Sequence, residues 1–113
     1  GYWLAIERSS GQTVGQIGVL MTDLGGDPEP ALGYVVDKDF WGHGIASEGA
    51  RACIEWVFAH TEYPRVITLV RPENEPSLKV ALSIGMIECG SVTFAGLEHR
   101  ILSIDRPDTE SSA

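Results

Sequence analysis

Positive charge is scarce in this chain. Eight lysines and arginines stand against sixteen aspartates and glutamates, a net charge of −8. A nucleic-acid partner wants a basic face, so none is expected. The acidity suits a cationic acceptor such as an amine; it equally fits a protein that is merely kept soluble. Long apolar runs are missing too. No stretch approaches the ~20 residues of a membrane helix, so no membrane partner is expected. The opening Gly1–Glu7 alternates like a strand and shows no basic leader. Cys53 and Cys89 offer neither metal spacing nor a disulfide framework, and read as reduced thiols of a cytoplasmic protein. His43, His60 and His99 are scattered, so no metal is expected. Two phosphate motifs are absent as well. No Gly-Lys-Ser/Thr triplet closes a P-loop, and Ser47 stands where a dinucleotide fingerprint wants its third glycine.

What is present fits one domain. The 113 residues are 43% hydrophobic, enough for a modest core and too apolar for wholesale disorder. The domain is expected over residues 1–107, with residues 108–113 a disordered polar tail.

The chain is organised around Ala31 to His60. Leu32 to Val36 reads as a short apolar strand. A loop with Gly42 and Gly44 follows, and then a helix. Its apolar stripe is Ala46, Ala50, Cys53, Ile54, Val57 and Phe58, with Glu48, Arg51 and Glu55 off it. The first N–H groups of a helix lack partners inside it, and its dipole leaves partial positive charge there. Glycines just before it let the backbone close on a ligand, and a phosphate or diphosphate is the natural guest. Two glycines alone also fit a tight βα turn that binds nothing.

The remaining elements follow in order. Trp3–Glu7 and Thr13–Met21 form a hairpin across Ser9-Ser10-Gly11, with Gly15 and Gly18 marking a bulge or a weak point. Asp23–Pro30 is a loop. Pro64 ends the helix region, and Arg65–Val70 is a second apolar strand. Strand, helix, strand of this length is a βαβ unit, so its two strands should be parallel. Asn74 is an N-cap with Pro76 in the first helical turn. Leu78, Ala81 and Leu82 are expected to be that helix's buried face, with Gly85 its C-cap. Met86–Thr93 and Glu98–Ile104 form a hairpin around Ala95-Gly96. The expected architecture is α+β: a mostly antiparallel sheet with one parallel pair and two main helices. Its ligand crevice lies at the carboxyl ends of the parallel strands.

Trp41-Gly42-His43-Gly44-Ile45-Ala46 resembles the acetyl-coenzyme A motif of the GCN5-related N-acetyltransferases (GNAT), Arg/Gln-x-x-Gly-x-Gly/Ala. Gly44 and Ala46 match its last two positions. Trp41 departs from its first, in the manner of the RimJ/RimL-like branch. Arg71-Pro-Glu-Asn-Glu-Pro-Ser77 is similar to that branch's Pro-x-Asn-x-x-Ser element, and Ile84-Gly85-Met86 to the end of its next helix. The resemblance covers roughly Trp3 to Asp105. It implies that the parallel strands splay and that the cofactor's pantetheine arm lies between them. It implies amide contacts to the cofactor from Tyr34, Val35 and Val36 and from the cradle Trp41, Gly42, His43, Gly44, Ile45 and Ala46. Asn74 would meet the pantetheine arm, and Ser77 would be the general acid. Glu98 is the first choice for the base, with His99 and Glu7 as further candidates and a water chain as another route. Structurally, Ser77 fits a first-turn helix residue, Asn74 an N-cap, and Glu98 a solvated or pairing residue.

The implied function is acetyl transfer from acetyl-coenzyme A to an amine, at a protein N-terminus or on a small molecule, by direct attack in a ternary complex. The alternative is a non-catalytic acyl-coenzyme A-binding or regulatory module. A third reading is another phosphate binder on the same loop. The family normally opens with a strand and two helices, and this chain begins at what would be its second strand. A fragment is therefore expected, N-terminally truncated, with a bare sheet edge through which it forms a homodimer.

Overall fold

The structure, a computed structural model, describes residues 2–7, 13–36 and 44–107. Six strands and two helices follow in the order β1 (Tyr2–Glu7), β2 (Thr13–Thr22), β3 (Glu29–Val36), α1 (Ile45–His60), β4 (Arg65–Val70), α2 (Glu75–Ser83), β5 (Ile87–Phe94) and β6 (Leu97–Asp105). The strands form one sheet in the order β1-β2-β3-β4-β6-β5. Every neighbouring pair is antiparallel except β3–β4, as the βαβ pattern requires. Among the described residues, no helix is long and apolar enough to cross a membrane.

β3 begins three residues before the strand expected from sequence, because Glu29–Ala31 continue the ladder with β2 as far as Thr22↔Glu29. Pro30 sits within that ladder, where its residue type argues against a strand. The first hairpin's bulge lies where β1 passes from Ile6↔Gly15 to Glu7↔Thr13, so the extra residue is Val14, next to Gly15 and away from Gly18.

The core forms where α1 and α2 cover the sheet. Ala46, Ala50, Cys53, Ile54 and Val57 of α1 are buried against Ile17, Val19, Leu32, Val66, Val70 and Leu102. Phe58, the last residue of the expected stripe, packs against this cluster while half-buried. Gly49 lets helix and sheet approach closely. A Cβ there would lie 2.8 Å from Ile17 Cγ2.

The face of α2 differs from the expected one. Ser77, Val80 and Ala81 point inward, while Leu82 is 58% exposed and Leu78 only half-buried. The helix is just nine residues long, and its start at Glu75 fixes its rotation. Asn74 caps that start: its side chain accepts from the Ser77 N–H at 3.3 Å. At the other end Ile84 is the cap residue, and Gly85 lies one position beyond with φ +95°. The Met86 N–H donates to the Ala81 carbonyl and the Gly85 N–H to Leu82, a Schellman closure that uses a left-handed glycine. The last hairpin turns on Ala95 (φ 55°) and Gly96 (φ 79°), the two positive φ values of a type I′ turn.

The C-terminal end of α1 is held by a residue remote in sequence. The Arg106 guanidinium donates to the carbonyls of Phe58 (2.7 Å), Tyr63 (3.1 Å) and Thr61, and lies 5.0 Å from the Phe58 ring centroid. A cation among terminal carbonyls satisfies acceptors the helix cannot, and complements its dipole.

Candidate functional site

β3 and β4 are neighbours along very little of their length. Their ladder consists of Ala31↔Ile67 and Leu32↔Thr68. β3 then runs on to Val36, and β4 to Val70, with no further pair between them among the described residues. Each stays bound on its outer side: β3 pairs with β2 as far as Val36↔Gly15, and β4 with β6 as far as Val70↔Arg100. A gap therefore opens inside the sheet, at the carboxyl ends of the parallel strands.

Thr68 marks its closed end. Its hydroxyl donates to the Leu32 carbonyl at 3.2 Å, and the residue is 2% exposed. The buried polar side chains among the described residues are Thr68 and Ser77, one in β4 and one in the helix that follows it. Thr68 was missed by the sequence reading, although a hydroxyl inside Val-Ile-Thr-Leu-Val was a visible signal.

The segments that leave the two strands start both helices at this same end of the sheet. Gly44 is the N-cap of α1, with φ 73°, and brings no capping side chain to the first amides. A Cβ there would meet nothing within 4 Å among the described residues. Asn74 and Ser77 belong to the cap and first turn of α2. Between the helices lies a groove of about 380 Å³, lined by Gly44 and Ser47 from α1 and by Glu75, Pro76, Lys79, Val80 and Ser83 from α2. Its floor is tied across the helices. Ser47 Oγ and Ser83 Oγ are 3.1 Å apart, and Arg51 donates to the Ser83 carbonyl at 3.4 Å. Sequence reasoning did not find Ser47, Lys79 and Ser83 as lining residues, because the pairing of the two helices is a tertiary contact.

The residues expected at the site fall into three groups. Tyr34, Val35 and Val36 form the part of β3 that borders the gap. Gly44, Ile45 and Ala46 open α1, while Trp41, Gly42 and His43 of the same motif lie outside the described residues. Asn74 and Ser77 stand where β4 hands over to α2.

The candidate bases are more dispersed. Glu98 lies near the start of β6, exposed, two residues beyond the last β4–β6 pair. Its backbone carbonyl accepts from Arg71 Nη1 at 2.6 Å. His99 sits beside it, with Nδ1 2.9 Å from the Leu97 carbonyl and its ring edge-on to Phe94. Glu7 ends β1, one residue past the row Ile6–Gly15–Val36. That is the same end of the sheet as the gap, two strands and roughly 10 Å away at normal strand spacing.

Local charges also converge here. Arg71 Nη2 pairs with Glu73 Oε1 at 2.8 Å. The Glu73 carboxyl is held below its ordinary value, first by a hydrogen bond from its own backbone N–H, with Arg71 and His99 adding to it.

Comparison with known proteins places this geometry in a family context. Residues 1–87 match the family model for an acetyltransferase (GNAT) domain. The chain is 32% identical over 84 residues to an uncharacterized protein, YkkB, of Bacillus subtilis (strain 168), across 74% of this chain and 49% of that one. It superposes on an acetyltransferase from Agrobacterium tumefaciens str. C58 with a TM-score of 0.76 at 29% identity, covering 90% of this chain and 59% of that one. A GnaT-family acetyltransferase from Bordetella pertussis gives a TM-score of 0.75 at 26% identity, over 89% of this chain and 64% of that one. The chain thus spans about half the length of the curated relative and under two thirds of the solved structures.

Proposed function

This chain belongs to the acetyltransferase (GNAT) domain family, and from that premise we propose that it binds acetyl-coenzyme A and transfers the acetyl group to an amine. The observation that carries the reading is the β3–β4 ladder ending at Leu32↔Thr68 beside the groove between α1 and α2. The gap offers strand-edge amides to an extended arm. The groove offers a helix N-terminus without a side-chain cap to a diphosphate. These residues fit the family's cofactor. When bound, acetyl-coenzyme A supplies an activated thioester acyl group.

The chain's own residues have distinct tasks in this reading. The amides of Gly44, Ile45 and Ala46 hold the diphosphate, with the Trp41–His43 part of the motif completing the cradle. Among Tyr34, Val35 and Val36, the backbone N–H groups that face the gap rather than β2 bind the arm, and one of them polarises the acyl oxygen. Asn74 orients the arm while it caps α2. Ser77 Oγ holds the proton delivered to the leaving thiolate. Glu98 is the proposed base, taking a proton from the acceptor's ammonium so that the free amine can attack the thioester; Glu7 and His99 are the other candidates. The acceptor is a protein N-terminus or a small amine, in the manner of the RimJ/RimL-like branch, attacking directly in a ternary complex in the cytoplasm. Self-association through the edge of the sheet at β1 completes the reading.

Two measurements test this. Coenzyme A should bind the chain in calorimetry, and acetyl-coenzyme A should release thiol when one of a panel of amines is added. Binding with no release for any amine identifies a non-catalytic module. Failure to bind coenzyme A overturns the reading.

A further inference from the structure

The free end of β4 has one sheet neighbour. Leu69 and Val70 lie past the last pair with β3, so β6 alone holds them in the sheet. That ladder ends at Val70↔Arg100. The next residue, Arg71, extends the hold beyond it. Its Nη1 donates to the Glu98 carbonyl at 2.6 Å, two residues further along β6. Its Nη2 reaches Glu73 Oε1 at 2.8 Å, in the turn that leads to α2. Its carbonyl accepts from the Asn74 N–H at 2.9 Å, closing that turn. One guanidinium therefore fastens the bank of the gap both to β6 and to the loop that carries Asn74 and Ser77. A planar fork can serve two directions at once, and a lysine ammonium at the end of a flexible stem matches that geometry poorly.

We propose that Arg71 is a positioning residue that sets the width of the β3–β4 gap, and so the fit of the pantetheine arm, by tethering the end of β4 to β6. The proposal rests on the cofactor reading above. The competing description is an ordinary surface ion pair. The Arg71 and Glu73 side chains are 34% and 67% exposed, and such pairs add little to stability. The two descriptions differ in what they do to ligands. A gap-setting tether acts on a ligand that enters the gap and spares one that stays in the groove.

The test uses two probes on the full chain: coenzyme A, and 3′-phosphoadenosine diphosphate, which has the nucleotide end but no pantetheine arm. In Arg71→Ala, coenzyme A should bind about tenfold more weakly, while the nucleotide probe stays within about twofold. The melting temperature should move by less than about 3 °C. Arg71→Lys should fall between Arg71→Ala and wild type for coenzyme A. Glu73→Gln keeps the tie to the Glu98 carbonyl and should weaken coenzyme A by less than about threefold. Equal weakening of both probes in Arg71→Ala overturns the proposal, as does unchanged coenzyme A binding. A wild-type chain that binds neither coenzyme A nor the nucleotide probe overturns the cofactor reading instead, and this proposal with it.

Discussion

The Thr68 hydroxyl donates to the Leu32 carbonyl at the last pair that β3 and β4 share. It is a buried side-chain tie at the point where the two strands part. Thr68→Val keeps the shape and removes the donor. A net hydrogen bond is worth ~0.5–1.5 kcal/mol, so thermal unfolding should fall by a few degrees, about 2–6 °C. Coenzyme A binding should weaken with it, because the closed end of the gap loosens. An unchanged melting temperature would show that the hydroxyl contributes nothing there.

Gly49 is a packing glycine in the second turn of α1. Alanine would gain ~1 kcal/mol of helix propensity, but its Cβ would press on Ile17 Cγ2 at a fully buried position. Overpacking costs ~1–3 kcal/mol, so Gly49→Ala should be net destabilising by about 1 kcal/mol in urea titration. A stabilised Gly49→Ala protein would mean that helix and sheet stand further apart than described.

Gly44 holds φ 73° at the start of α1. Gly44→Ala should cost ~1–2 kcal/mol from backbone strain alone. Gly44→Glu adds an anion where the diphosphate is proposed to lie. Comparison of the two separates strain from charge: coenzyme A affinity should survive in the alanine variant and be lost in the glutamate variant. Equal affinities would displace the diphosphate from that turn.

Glu29 and Arg65 form a two-pronged pair, 2.5 and 3.0 Å, between the start of β3 and the start of β4. The Arg65 hydrogen bonds hold the Glu29 carboxyl below its ordinary 4.5, against the opposing effect of burial. A carboxylate with a lowered folded pKa contributes stability that is present above the unfolded value and lost as the pH falls through the folded one. Both side chains remain partly exposed, so the contribution is at most about 1 kcal/mol. Wild type should exceed Glu29→Gln in urea stability at pH 7. The two should converge as the pH drops below 4.5. A constant difference down the acid limb would show that the pair carries no pH-linked stability.

Cys53 is fully buried, and desolvation pushes its thiol up to about 11, whereas Cys89 is exposed. At pH 8 a thiol reagent should label Cys89 rapidly in the native protein and Cys53 only in denaturant. Rapid double labelling would mean that α1 opens readily.

Much of the scaffold could be read from local chemistry. The α1 stripe from Ala46 to Val57, β4 at Arg65–Val70, the Asn74 cap and the Ala95-Gly96 turn each depend on residues close in sequence, and each stands where expected. The errors arose where a distant partner decided the outcome. β3 starts early because β2 pairs with it through Pro30. Leu82 faces outward because the sheet below α2 selects Val80 and Ala81.

The same division holds for the site. The glycine before a helix and the Asn-x-x-Ser turn were visible as residues, since φ > 0 and capping are properties of a few neighbouring positions. Lys79 and Ser47 lining one groove, Arg71 on the Glu98 carbonyl and Arg106 on the end of α1 depend on segments far apart in sequence, 27 residues for Arg71 and 48 for Arg106. The sequence by itself therefore determined which elements form and which turn can face an anion. Tertiary structure alone decided that β3 and β4 part after Leu32 and Thr68, because strand separation depends on what holds each strand from its far side, and β2 and β6 do that here.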